Sequence, residues 1–133
     1  MVSRNTKVLV VDDDPFVREI LGMVLGDNGF EIETAESGQE ALGKFRADET
    51  IGLIISDMNM PEMSGLELIR NLRESGADVP FIILSGDSEM SAALPAIDSG
   101  ADEYLLKDEN IQDSITVAAA RVLEKYRQRQ VPH

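Results

Sequence analysis

Val8-Leu9-Val10-Val11-Asp12-Asp13-Asp14-Pro15 decides the reading of this chain: four apolar residues run without a break into three carboxylates and a proline. A continuous apolar run with a β-branched bias suits a strand buried on both faces, the kind found inside a parallel sheet. Asp14-Pro15 then supplies a helix N-cap and a proline at the first helical position. The same grammar recurs downstream. Leu53-Ile54-Ile55-Ser56 leads into Asp57, Phe81-Ile82-Ile83-Leu84 into Ser85, and Tyr104-Leu105-Leu106 into Lys107. Each polar group stands where a buried strand ends, and parallel strands gather their carboxyl ends along one edge of a sheet.

Between these strands the spacing turns helical. Val17, Ile20, Leu21, Val24 and Leu25 form one stripe that Gly29 stops. Phe30 to Ala35 alternates apolar with polar residues, as an edge strand does. Ser37 with Glu40 predicts a capping box for a second helix through Ala41, Leu42 and Phe45. A third strand is expected over 51–56, a third helix over 65–75, a fourth strand over 79–84 and a fifth over 102–106. A fourth helix over 89–99 is interrupted by Pro95, which predicts a kink or a late start. A last helix spans about 111–128 through Ile115, Ala118, Val122 and Tyr126. Strand and helix alternating five times predict an α/β fold, a parallel sheet with helices on both faces.

The chain has 133 residues, 43% of them hydrophobic, which fits one domain over 1–133 with a real core. Its core is expected over about 7–126, with a basic helix end and tail over 121–133. No apolar run approaches the ~20 residues that span a bilayer, and the first residues lack a signal-peptide pattern, so a cytoplasmic location and no membrane partner are expected. The absence of cysteine excludes disulfides and thiol catalysis. A net charge of −13 opposes direct nucleic-acid binding, because phosphates would be repelled.

The strand tips carry the chemistry. Two carboxylates about 5 Å apart repel by roughly 3 kcal/mol at an effective dielectric near 20. Crowding Asp12, Asp13 and Asp57 therefore calls for a cation or a proton, and hard oxygen ligands at a half-open site favour Mg²⁺. Capping the first helix explains Asp14 alone and leaves Asp12 and Asp13 unaccounted for. Asp57 is a third ligand or a nucleophile toward phosphorus; Lys107 and Ser85 are placed to meet phosphoryl oxygens.

These motifs, with Ser56-Asp57-Met58-Asn59-Met60-Pro61-Glu62-Met63-Ser64-Gly65, Leu84-Ser85-Gly86 and Gly100-Ala101-Asp102-Glu103-Tyr104-Leu105-Leu106-Lys107, resemble the receiver domain of bacterial two-component response regulators. The resemblance covers about Lys7 to Tyr126. It implies a flavodoxin-like (βα)5 fold with strand order 2-1-3-4-5. It also implies Asp57 as phosphoacceptor, Asp13 as principal Mg²⁺ ligand, Asp12 acting through water, and the Asn59 carbonyl as a further ligand. Ser85 and Lys107 would hold the phosphoryl oxygens, and Tyr104 would be an aromatic switch that turns inward when Ser85 is drawn to the phosphoryl group. Gly86 leaves room for a donor or water, and Asn59 and Asp87 flank the path of a hydrolytic water. The implied partners are a histidine kinase or phosphotransfer protein, then an effector protein or attached output domain, with a homodimer possible on activation.

Two positions depart from the family, and Pro95 in the fourth helix is one of them. Asp108 follows Lys107 where a proline is usual, which places Asp108 and Glu109 beside the ammonium and predicts a more mobile loop. Other functions fit less well. A Mg²⁺-dependent phosphohydrolase with an aspartyl-phosphate intermediate would want an acid where Asn59 stands, and a flavin module would want an uncharged phosphate loop after the first strand. A receiver that works by interaction without phosphorylation remains the other alternative.

Overall fold

The structure, a computed structural model, describes residues 6–86 and 93–130. Among these residues five strands alternate with five helices: β1 (Lys7–Val11), α1 (Pro15–Asp27), β2 (Glu31–Ala35), α2 (Gly38–Ala47), β3 (Ile51–Asp57), α3 (Gly65–Glu74), β4 (Phe81–Ser85), α4 (Ala93–Asp98), β5 (Glu103–Leu106) and α5 (Ile111–Gln130). The strands form one parallel sheet in the order β2-β1-β3-β4-β5, as expected. Predicted and observed strands agree within two residues at each end. The first part of the expected fourth helix, residues 89–92, lies outside the described residues.

The two-residue period of the strands feeds two cores. Leu9, Val11, Ile54, Phe81 and Ile83 face α2, α3 and α4, where Ala41, Leu68, Ile69, Leu72 and Ala96 close the layer. Val8, Val10, Leu53, Ile55, Ile82 and Leu84 face α1 and α5, meeting Leu21, Leu25, Ile115, Ala118 and Val122. Each fully buried large aliphatic side chain contributes about 1.5–3 kcal/mol relative to exposure. A register shift where Lys7 pairs Ile51 and Val8 pairs Leu53 leaves Gly52 as the extra residue of a bulge.

Local signals set the boundaries. Asp14 caps α1 by accepting the Phe16 N–H at 2.9 Å. Gly29, Gly76 and Gly100 end three helices with φ of +94°, +91° and +112°. Ser37 caps α2, but the Glu40 carboxylate takes the Glu36 N–H at 2.6 Å, so the expected box closes one residue early. The complete capping box is at α3, between Ser64 and Glu67. No helix among the described residues is long and apolar enough to cross a membrane.

Candidate functional site

Register brings the strand tips together. Val11 pairs Ser56, Asp57 pairs Leu84 and Ser85 pairs Leu106, so Asp12, Asp57, Ser85 and Lys107 stand along one edge of the sheet. The Lys107 N–H donates to the Ser85 carbonyl at 2.8 Å, which carries the β5 backbone one residue past its last ladder pair. Asp12, 1% exposed, and Asp57, 7% exposed, are buried carboxylates; Asp13 beside them is exposed. Carboxylate oxygens of Asp12, Asp13 and Asp57 lie within 4.8 Å of one another.

Lys107 extends across this cluster. Its ammonium nitrogen is 2.8 Å from Asp12 Oδ2 and 2.9 Å from Asp57 Oδ1. Burial works against the charged form of Lys107, yet the pull of the Asp12 and Asp57 carboxylates outweighs it and holds its pKa above the ordinary lysine value. For Asp57 burial dominates, opposed by Lys107 and reinforced by the charges of Asp12 and Asp13, and pushes the carboxyl up to about 6. Three carboxylates against one ammonium leave an excess of acidic groups, two of them buried.

That excess is what a divalent cation relieves. Asp12 Oδ1 accepts the Asp14 N–H at 2.9 Å, while the buried Oδ2 has no well-aligned hydrogen-bond donor and has Lys107 only as a charge neighbour. Asp13 opens the cluster to solvent, so incoming water and metal have a route. Hard oxygen donors, one open side and few protein carboxylates match the preferences of Mg²⁺. The residues present fit that ion.

The surrounding parts are fixed from below. The Arg18 side chain donates to the Asp12 carbonyl at 2.6 Å and stiffens the turn into α1. Ser56, fully buried, donates to the Asp57 carbonyl at 2.9 Å. Gly65 packs on that same carbonyl so closely that a Cβ would sit 2.5 Å from the oxygen, and its N–H donates to the Met58 carbonyl at 2.8 Å. Sequence reading passed over Gly65 as a site residue; the available signal was a glycine opening a helix eight residues after Asp57.

Ser85 is placed differently from Lys107. Its hydroxyl donates to the Tyr104 phenol oxygen at 2.5 Å, and Tyr104 is half-buried against the α2–α3–α4 core. The aromatic ring already points inward here. Gly86 follows β4 at the rim and Asn59 is exposed in the loop before α3; Asp87 lies outside the described residues. Asp108 does not compete for the ammonium: its carboxylate accepts the Asn110 N–H at 2.9 Å and its carbonyl the Ile111 N–H, which starts α5. Beside Lys107, an apolar groove of about 170 Å³ runs between α1 and the start of α5, lined by Phe16, Val17, Ile20, Leu84 and Ile111. Phe16 is 66% exposed there.

Comparisons with known proteins agree with this geometry. The family model "Response regulator receiver domain" matches residues 8–119. Response regulator MprA of Mycobacterium bovis (strain BCG / Pasteur 1173P2) is 41% identical over 103 residues, 77% of this chain and 44% of that protein. MprA of Mycobacterium avium (strain 104) is 42% identical over 101 residues, 76% and 44% of the two chains. The chain thus spans less than half the length of these relatives. Among solved structures, a response regulator receiver domain protein from Clostridium thermocellum superposes with a TM-score of 0.86 at 29% identity, covering 92% of this chain and 98% of that one. Response regulator TrrA of Thermotoga maritima, in complex with Mg²⁺-BeF, gives 0.79 at 38% identity over 88% and 98%.

Proposed function

The chain belongs to the response regulator receiver domain family, and on that premise we propose that it is a phosphorylation switch with Asp57 as the phosphoacceptor. The observation that carries this reading is the Lys107 ammonium bridging Asp12 and Asp57 beside the exposed Asp13. An Asp57 carboxylate oxygen attacks the phosphorus of a phosphohistidine, or of a small acyl phosphate. A new P–O bond forms as the bond to the donor breaks, and the donor leaves with the electron pair. Lys107 holds the incoming phosphoryl oxygens and keeps Asp57 oriented. Asp12, Asp13, Asp57 and the Asn59 carbonyl would hold Mg²⁺, which would supply charge neutralisation there.

The donor is a histidine kinase or phosphotransfer protein, seated in the apolar groove between α1 and α5 with Phe16 and Ile20 as contact residues. Gly86 leaves access to Asp57, and Asn59 and Asp87 set how readily water removes the phosphoryl group. Domain function is regulatory: the chain modifies and resets itself and does not turn over a separate substrate.

The output is conformational. A phosphoryl group on Asp57 adds charge and acceptor oxygens that draw the Ser85 hydroxyl away from Tyr104. The α4–β5–α5 face, with Leu94, Ile97 and Val117 exposed, then changes its affinity for an effector, an attached output domain or a second copy. The net charge of −13 argues for protein rather than nucleic acid as the direct partner of this domain, in the cytoplasm. Incubation with acetyl phosphate and Mg²⁺ followed by intact-mass measurement tests the reading. One phosphoryl adduct that requires Mg²⁺ supports it; no adduct with any donor points to a module that works by interaction alone.

A further inference from the structure

We propose that Asp102 ties the last turns of α5 to the turn between α4 and β5, so that the end of α5 follows displacement of that turn. The inference does not rest on phosphorylation of Asp57, and it concerns the edge of the sheet opposite the acidic site.

Asp102 immediately precedes β5 and is pinned to the first residue of β4 twice. Its N–H donates to the Phe81 carbonyl at 2.8 Å, and its Oδ2 accepts the Phe81 N–H at 2.9 Å. The remaining capacity of this carboxylate faces two arginines. Arg73, at the end of α3, lies 3.5 Å from Oδ2, and Arg129, in the last turn of α5, lies 3.5 Å from Oδ1. Neither contact alone is strong: both are long at 3.5 Å, and the Arg129 side chain is half exposed, where ion pairs are typically worth little. Their shared anchor is what matters: Asp102 cannot move without both arginines feeling it.

Arg73 in turn grips the α4–β5 turn. Its Nη2 and Nε donate to the Gly100 carbonyl at 2.8 and 3.2 Å. Burial is the largest influence on this guanidinium and lowers its pKa, against the raising pull of Asp102. Gly100 has φ +112°, and a Cβ there would lie 2.8 Å from Arg73 Cγ and Nε, so the fit admits only glycine without adjustment.

The α5 side is braced as well. The Arg129 guanidinium sits 5.3 Å from the Tyr126 ring centroid, and the Tyr126 hydroxyl donates to Asp78 Oδ1 at 3.3 Å. Tyr104 lies two residues beyond Asp102, so the clasp stands at the start of the short strand that carries the Ser85–Tyr104 hydrogen bond. A rearrangement that shifts the start of β5 therefore reaches the end of α5 through side chains rather than through the α5 backbone.

Amide hydrogen exchange on the full chain tests this with Arg129→Gln, Gly100→Ala and the double variant. Each single change should speed exchange of amides 126–130 by about three- to five-fold relative to β1 amides, the range expected for loss of a weak local tie. The double variant should exchange no faster than the faster single one, because both act through Asp102. Multiplying effects, or unchanged α5 exchange in Gly100→Ala, would overturn the proposal. Should Gly100→Ala fail to fold, Asp102→Asn replaces it with the same expectations.

Discussion

The Ser85 hydroxyl donates to the Tyr104 phenol oxygen at 2.5 Å, joining the end of β4 to the middle of β5 within the half of the core that α4 covers. This bond ties the Ser85 hydroxyl to Tyr104 rather than to the acidic cluster. Tyr104→Phe should lower stability by about 0.5–1.5 kcal/mol, the net worth of one such bond, as read from urea unfolding. Ser85→Ala should cost a similar amount, and the double variant no more than about the larger single loss. Additive losses would mean that the two groups do not act on each other.

Removing the charge of Asp57 should stabilise the metal-free protein. Burial raises this carboxyl from 3.8 to about 6 in the folded form. The folded protein therefore retains a proton that the unfolded chain releases, and stability falls as pH rises between those two values, then levels off. Asp57→Asn should gain about 1–3 kcal/mol near neutral pH and lose that advantage near pH 4. Urea midpoints at both pH values check the sign.

Mg²⁺ should raise Tm in the wild type and much less in Asp13→Asn, because binding to the folded form alone shifts unfolding by mass action. Lys107→Met should act in the opposite sense on affinity. The ammonium 2.8 Å from Asp12 repels an incoming cation, so its loss should tighten Mg²⁺ binding about ten-fold. Acceptance of a phosphoryl group should nevertheless slow. Calorimetric titration and labelling kinetics separate the two effects.

Gly65→Ala should cost about 1–3 kcal/mol, as overpacking against a fixed neighbour does. The added Cβ meets the Asp57 carbonyl at 2.5 Å, and backbone gives way less readily than a side chain. Thermal unfolding with and without Mg²⁺ measures the loss.

Much of this was legible in the residues. The apolar runs ending in Asp12, Asp57, Ser85 and Lys107 predicted a shared sheet edge, and strand register places them there. Asp14-Pro15 and Gly29 predicted the two ends of α1 because their chemistry is local. Contacts made across the chain were not legible. Nothing in the spacing of Ser85 and Tyr104 says that their hydroxyls meet, and Glu40 bonding to Glu36 rather than Ser37 depends on the chain's path into α2. The sequence places Asp108 beside Lys107, yet its carboxylate accepts the Asn110 N–H two residues on.

Reductive trapping locates an acyl phosphate by converting the modified aspartate to homoserine, which peptide sequencing by mass spectrometry reads directly. After treatment with acetyl phosphate and Mg²⁺, homoserine should be found at position 57 and nowhere else, should form more slowly when Lys107 is replaced by alanine, and should vanish when Mg²⁺ is chelated. Homoserine at Asp12 or Asp13, or an unmodified peptide despite a measured adduct, would contradict the assignment of Asp57.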